Sequence, residues 1–192
     1  MFGDKLVELA TPEDTVVINN IQYFYLEETD SYSVGYDPTG HMGYSFYNGT
    51  YLTGVYVPEG KSHHDADIIA NIEKGIQATI KGVPVTEIAP GAFFPKMIEE
   101  YDAYLEETYY EIDALEITTL TMPNTITTIG DSAFYGTTLN NITLPNSLEY
   151  IGKYAFDYCE SLESLVIPAN VRDIGGWGTA FCNSLKALSV AE

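Results

Sequence analysis

The segment His63-His64-Asp65-Ala66-Asp67 places two imidazoles and two carboxylates side by side. Such donors suit several divalent ions. A metal site needs its ligands to converge, however, and adjacent histidines rarely do; no third His stands nearby in the sequence. The expectation is a solvated loop, with no metal ion and no cofactor. A second concentration of donors is the acidic run Glu99, Glu100, Asp102, Glu106, Glu107, Glu111, Asp113 and Glu116. It lacks the glycine-containing loop of a calcium site and reads as a solvated face. No nucleophile elbow, phosphate-binding loop, paired-histidine zinc helix or dinucleotide fingerprint occurs. No catalytic residue is therefore assigned, and the expected protein is not an enzyme.

Tyrosines form the other chemically pointed set. Tyr23, Tyr25, Tyr32, Tyr36, Tyr44, Tyr47 and Tyr51 crowd the N-terminal third, and Tyr101 and Tyr104 sit within the acidic run. Tyrosine offers a large contact area at low entropic cost, so these are the candidate partner contacts. The competing reading is that many of them fill a local core.

The charge balance limits the partners. Eight basic against 28 acidic residues give a net charge of −20 over 192 residues. Such a field repels phosphate backbones and anionic lipid heads. Nucleic acid is excluded on this basis, and a basic protein surface is favoured. No apolar run reaches the roughly 18 residues of a membrane span, so no membrane insertion is expected. Asp4 and Glu8 stand where a signal peptide would be uninterruptedly apolar, so the N-terminus does not read as one.

The elements that would position these groups are written in a repeat. Pro123, Pro145 and Pro168 open units of 22 and 23 residues. Each unit continues with an apolar residue (Ile126, Leu148, Val171) and an Ile-Gly pair (Ile129-Gly130, Ile151-Gly152, Ile174-Gly175). An Ala-Phe pair (Ala133-Phe134, Ala155-Phe156, Ala180-Phe181) and a leucine (Leu139, Leu162, Leu185) follow. Alternating pairs, Ile142/Leu144, Leu165/Ile167 and Leu188/Val190, then read as short strands. One unit cannot bury its own apolar edge, so neighbours must stack. The expected repeat core is Ile129, Phe134, Leu139, Ile151, Phe156, Leu162, Ile174, Phe181 and Leu185. Cys159 and Cys182 each lie three residues before the repeated leucine. Stacked units would bring them about 4.8 Å apart. That separation suits a disulfide, but a ladder of buried thiols fits cysteine's habit as a core residue better.

A fainter unit precedes these. Val85-Thr86-Glu87-Ile88 and Ala92-Phe93 match Ile126–Ile129 and Ala133-Phe134 at an offset of 41. Its strand would hold Ile117, Leu120 and Met122, so an insert occupies about residues 94–114. Within it Ile98, Tyr101, Leu105, Tyr109 and Ile112 recur at helical spacing, which predicts an amphipathic helix. Earlier, β-branched and aromatic runs over residues 13–60 are cut by turn residues and predict a β-hairpin cap. Residues 61–74 read as a loop followed by a short helix or irregular link. The predicted organisation is a β-rich capping region over 1–75 and repeats over 76–192.

VTEIAPGAF, ITTIGDSAF and LEYIGKYAFDYCESLESLVIP resemble the BspA-like leucine-rich repeat family, over about residues 82–190. The insert and the stretch IGGWGTAF, where Trp177 would fill space, depart from that family's pattern. The resemblance implies a bacterial or protozoan surface protein for adhesion or protein binding, with no catalytic signature. The expected fold is a mainly β (α+β) leucine-rich-repeat solenoid of about four coils, with an N-terminal β-hairpin cap and a helical insert. The expected function is a protein-binding or adhesion module, extracellular or at the cell surface. A structural subunit of a larger assembly (virion, tail fibre or surface layer) is the first alternative, and a carbohydrate-binding protein the second. The expected partner is another protein, with self-association through the C-terminal edge, Leu185–Val190, as a further outcome.

Overall fold

A computed structural model describes residues 15–35, 54–102, 104, 107–176 and 178–191. Tyr36, Tyr44, Tyr47, Tyr51 and Trp177 lie outside the described residues. Among the described residues the fold is mostly β-sheet with one short helix. No helix among the described residues is long and apolar enough to cross a membrane.

The described residues begin with an antiparallel meander of β1 (Thr15–Ile18), β2 (Ile21–Leu26) and β3 (Ser31–Val34). Asn19 and Asn20 turn β1 into β2 with φ of 53° and 59°. Two successive left-handed residues make the tight hairpin turn whose twist suits the flanking strands, and Asn tolerates that conformation. Ile21, Tyr23, Tyr32 and Val34 from β2 and β3 are buried. The helix α1 (Ala66–Ile72) buries Ile68 and Ile72, four residues apart on one face. A short hairpin of β4 (Thr79–Ile80) and β5 (Val83–Ile88) follows. β5 pairs parallel with β3, so one apolar core is continuous from Ile21 to Ile167.

From β5 onward the repeat builds two ladders. In the first, β5, β8 (Thr128–Ile129), β9 (Tyr150–Ile151) and β11 (Asp173–Ile174) lie parallel. Ile88, Ile129, Ile151 and Ile174 stand in register across them. After each isoleucine the glycine N–H donates to the isoleucine carbonyl of the preceding repeat: Gly130 to Ile88, Gly152 to Ile129 and Gly175 to Ile151, at 2.7–2.8 Å. In the second ladder β10 (Ser164–Ile167) pairs parallel with β12 (Ala187–Val190). A single bridge, Asn141 to Ser164, extends it to the previous repeat. The alternating pairs predicted as strands therefore form strands at Leu165/Ile167 and Leu188/Val190. The Ile-Gly ladder is an additional set of strands that side-chain alternation did not predict, because β8, β9 and β11 hold only two residues each.

A third register lies between the ladders. The Phe93 N–H donates to Ala133 O, Phe134 N–H to Ala155 O and Phe156 N–H to Gly178 O. The rings of Phe93, Phe134 and Phe156 stack at 5.2 and 5.3 Å between centroids, nearly parallel. This corrects the alignment of the last unit. Gly178, not Ala180, occupies the alanine position, so Thr179 occupies the phenylalanine position. Phe181 instead matches Tyr158, on which its ring stacks at 4.7 Å. Of the predicted repeat core, Ile129, Phe134, Leu139, Ile151, Phe156 and Leu162 are buried. Ile174 and Phe181 are 49% and 57% exposed, and Leu185 is only partly buried. The physical reason is stacking: each repeat is covered by the next, and no described repeat follows Ile174 and Phe181.

The insert is a second correction. It is not a helix but a β-hairpin of β6 (Lys96–Asp102) and β7 (Glu107–Asp113). The strands pair antiparallel from Lys96↔Asp113 to Asp102↔Glu107 and form a sheet of their own. The helical spacing of Ile98, Tyr101, Leu105, Tyr109 and Ile112 was coincident with a β-rich composition. Thr108-Tyr109-Tyr110 favours a strand, and the hairpin satisfies its backbone without needing a helical face to bury.

Candidate functional site

The hairpin base and the loop before α1 meet. Within that loop Ser62 O accepts the Asp65 N–H, and Ser62 Oγ accepts the His64 N–H at 3.2 Å. This turn brings the two imidazoles to the same side, their centroids 4.0 Å apart and tilted by 40°. Both face Asp113, the last residue of β7. His64 Nε2 lies 2.5 Å and His63 Nε2 3.5 Å from Asp113 Oδ1. Glu116 Oε2 lies 3.9 Å from His64 Nδ1. The His63 side chain is 10% exposed, Asp113 20% and His64 39%.

The expectation of divergent histidines in a solvated loop is thus corrected. The carboxylates beside them in sequence do not join them: Lys61 Nζ takes Asp65 at 3.1 Å and Asp67 at 3.4 Å. The carboxylate that does join them comes from the far side of the insert. Sequence spacing gave no signal for Asp113, because its position depends on the hairpin returning to its own base. Another contact fixes that return. Glu73, just past α1, accepts hydrogen bonds from the Thr118 N–H at 2.7 Å and the Thr118 hydroxyl at 2.8 Å. Desolvation pushes the Glu73 carboxyl up, but these donors and the Thr119 N–H outweigh it and hold it below its ordinary value.

The tyrosines divide. Tyr23 is fully buried and its Oη accepts the Gln77 N–H at 3.0 Å; burial pushes its phenol up to about 12. Tyr32 is also buried. These two are core, which corrects their assignment as partner contacts: inward residues of β2 and β3 supply the apolar face of the meander. Tyr25 is half-buried and donates to Asp30 Oδ1 at 2.8 Å. Tyr101 lies on β6, and Tyr104, at the tip of the hairpin, is 93% exposed.

Both cysteines are free thiols. Cys159 Sγ donates to Phe134 O at 3.1 Å and Cys182 Sγ to Phe156 O at 3.0 Å, each reaching the preceding repeat. Thr137 holds the matching position one repeat earlier, its hydroxyl 3.4 Å from Cys159 Sγ. The thiols are rungs of a ladder. Burial pushes the Cys159 thiol up to about 12 and also raises Cys182, so neither is poised as a nucleophile. Asn124 and Asn146 line an open groove of about 510 Å³ beside Thr119, Thr121, Asn141 and Thr143. Asn124 Oδ1 is spent accepting the Asn146 N–H.

Residues 105–192 match the BspA type leucine rich repeat region, in six copies. No curated protein matches the sequence. Among solved structures, a leucine-rich repeat protein from Bacteroides capillosus ATCC 29799 is similar, with a TM-score of 0.56 and 20% identity over 93% of this chain and 99% of that one. The pneumococcal vaccine antigen PcpA has a TM-score of 0.57 and 24% identity over 93% of this chain and 38% of its own. A leucine rich cell surface protein from Faecalibacterium prausnitzii A2-165 has a TM-score of 0.51 and 14% identity over 94% of this chain and 40% of its own. The chain therefore spans about two fifths of the length of the latter two. These similarities establish a common fold, and the Ile-Gly, phenylalanine and thiol ladders are its repeat written in this sequence: residues 105–192 belong to the BspA-type leucine-rich repeat family.

Proposed function

We propose that the chain is a protein-recognition module of the adhesion type, displayed at a cell surface and performing no catalysis. About four stacked coils form the scaffold, and β1–β3 cap their N-terminal side. The observation that carries the reading is the β6–β7 hairpin. It leaves the stack at one repeat, pairs with no other strand among the described residues, and presents Tyr104 almost fully to solvent. The acidic residues of this segment surround that tyrosine in the sequence. An exposed aromatic in an acidic setting suits a partner with a basic surface and an apolar pocket. The surface location named for the Faecalibacterium protein supports the same reading.

Replacing residues 97–112 by a short Gly/Ser link is expected to leave a cooperatively folding domain, since closing a loop of altered length costs little. The same change, and Tyr104→Ala, should abolish binding to immobilised extracellular-matrix and host-surface proteins in surface plasmon resonance. Wild-type binding should weaken as salt rises. Binding that is indifferent to the hairpin, or absent across such a panel, would reject this reading.

A second reading, a subunit of a larger assembly, is favoured by the last repeat. β12 pairs only with β10 among the described residues, and Leu188 and Val190 are 57% and 68% exposed. A strand edge of this kind accepts another strand. Two copies, each at −20, repel until salt shortens the Debye length, to about 3 Å near 1 M. Light scattering is therefore expected to show association that grows with salt, reduced by Leu188→Lys. A monomer at every salt and protein concentration removes self-association through this edge.

A further inference from the structure

We propose that His63, His64 and Asp113 form a binding site for one zinc-class divalent cation that clamps the hairpin base to the loop before α1. One donor atom from each of the three residues lies within 4.8 Å of the other two. Bound zinc sits about 2.0–2.2 Å from its nitrogen and oxygen ligands. Small rotations of side chains already aimed at one another are enough to close on an ion.

The donor set selects the ion. Two imidazoles and one carboxylate suit zinc, nickel or copper. Calcium takes six or more oxygens and magnesium keeps an octahedral, largely hydrated shell, so neither is satisfied here. Three protein ligands leave a fourth position for water. A hydrogen bond of 2.5 Å joins His64 Nε2 to Asp113 Oδ1 through one proton. Metal entry replaces that proton: the ion takes the Nε2 lone pair and the carboxylate oxygen, and the proton leaves to solvent. Glu116 Oε2, 3.9 Å from His64 Nδ1, is beyond hydrogen-bond reach and adds negative charge beside the ring. The net charge of −20 raises the local concentration of cations around the site.

The consequence is mechanical. Asp113 ends β7, whereas the histidines belong to the loop leading into α1. A shared ion ties the insert to the body of the stack at its root and limits how the hairpin can swing.

The test is titration of the full chain with Zn²⁺ alone, in millimolar Mg²⁺ to occupy scattered carboxylates, followed by calorimetry. One ion per chain is expected, at micromolar affinity, with weaker binding at acid pH because protons compete for the imidazoles. His64→Ala and Asp113→Asn should each weaken binding at least about tenfold and abolish the zinc-dependent rise in melting temperature. Circular dichroism of the metal-free variants verifies that they fold. Co²⁺ bound to the wild-type chain gives an independent readout, the intense visible band of a four-coordinate site. Absence of zinc uptake in Mg²⁺, or uptake unchanged in both variants, would overturn the proposal. In either case the His–Asp cluster is only a hydrogen-bonded contact.

Discussion

Phe134→Ala lowers the free energy of unfolding by about 3–5 kcal/mol, the range of a buried aromatic truncation. The Phe134 ring is fully buried between Phe93 and Phe156, with centroids 5.2 and 5.3 Å away on its two sides. Removing it opens a void that neither neighbour can close. The backbone bonds from Phe93 to Ala133 and from Phe134 to Ala155 fix the spacing of the repeats. For a chain of this size each kcal/mol moves the melting midpoint by about 2–4 °C, so a fall on the order of 10 °C is expected. Phe181→Ala is the internal control. That ring is 57% exposed at the end of the stack and should cost less than about 1 kcal/mol. Urea unfolding followed by circular dichroism separates the two. A Phe134→Ala midpoint equal to wild type would mean that the ring stack carries no stability.

The contrast between these phenylalanines marks what a sequence can and cannot show. The period was legible because Pro, Ile-Gly and Leu return together, and stacked neighbours demand the same residue at the same height. Six of the nine expected core positions are buried for that reason. Register within the last unit was not legible. IGGWGTAF offers an Ala-Phe pair two residues beyond the place the backbone uses, as the bonds from Phe156 N–H to Gly178 O and from Tyr158 N–H to Ala180 O reveal. The hairpin was misread because apolar residues at helical spacing also occur in aromatic-rich strands. The histidine cluster was hidden for a different reason. His64 and Asp113 are 49 residues apart, and their meeting depends on how the hairpin re-enters the stack. Local pattern carries the ladder; long-range closure carries the candidate site.

The glycine of each Ile-Gly pair gives the second large effect. Gly152→Ala is expected to destabilise the protein by about 3 kcal/mol or more, at or above the upper end of overpacking costs. A methyl group there would lie 2.4 Å from Asp131 N and 2.5 Å from Gly130 C. These are backbone atoms of the preceding repeat and cannot rotate away. The repeats must separate, which strains the bond from Gly152 N–H to Ile129 O and that from Lys153 N–H to the Asp131 carboxylate at 2.7 Å. The glycine is needed for close approach between coils. Gly130 and Gly175 meet the same obstacle, with Pro90 N at 2.4 Å and Lys153 N at 2.3 Å. Their substitutions should differ in reach. Gly130→Ala and Gly152→Ala part the stack in its middle and lower the global transition. Gly175→Ala can be relieved by peeling away the last repeat, so it should chiefly speed hydrogen exchange at Lys186, whose N–H donates to Glu163 O. Gly176→Ala meets no atom within 4 Å and should leave stability near wild type. Equal denaturation midpoints for Gly152→Ala and Gly176→Ala would show that the coils have room to spare at the ladder, against the contact distances that define it.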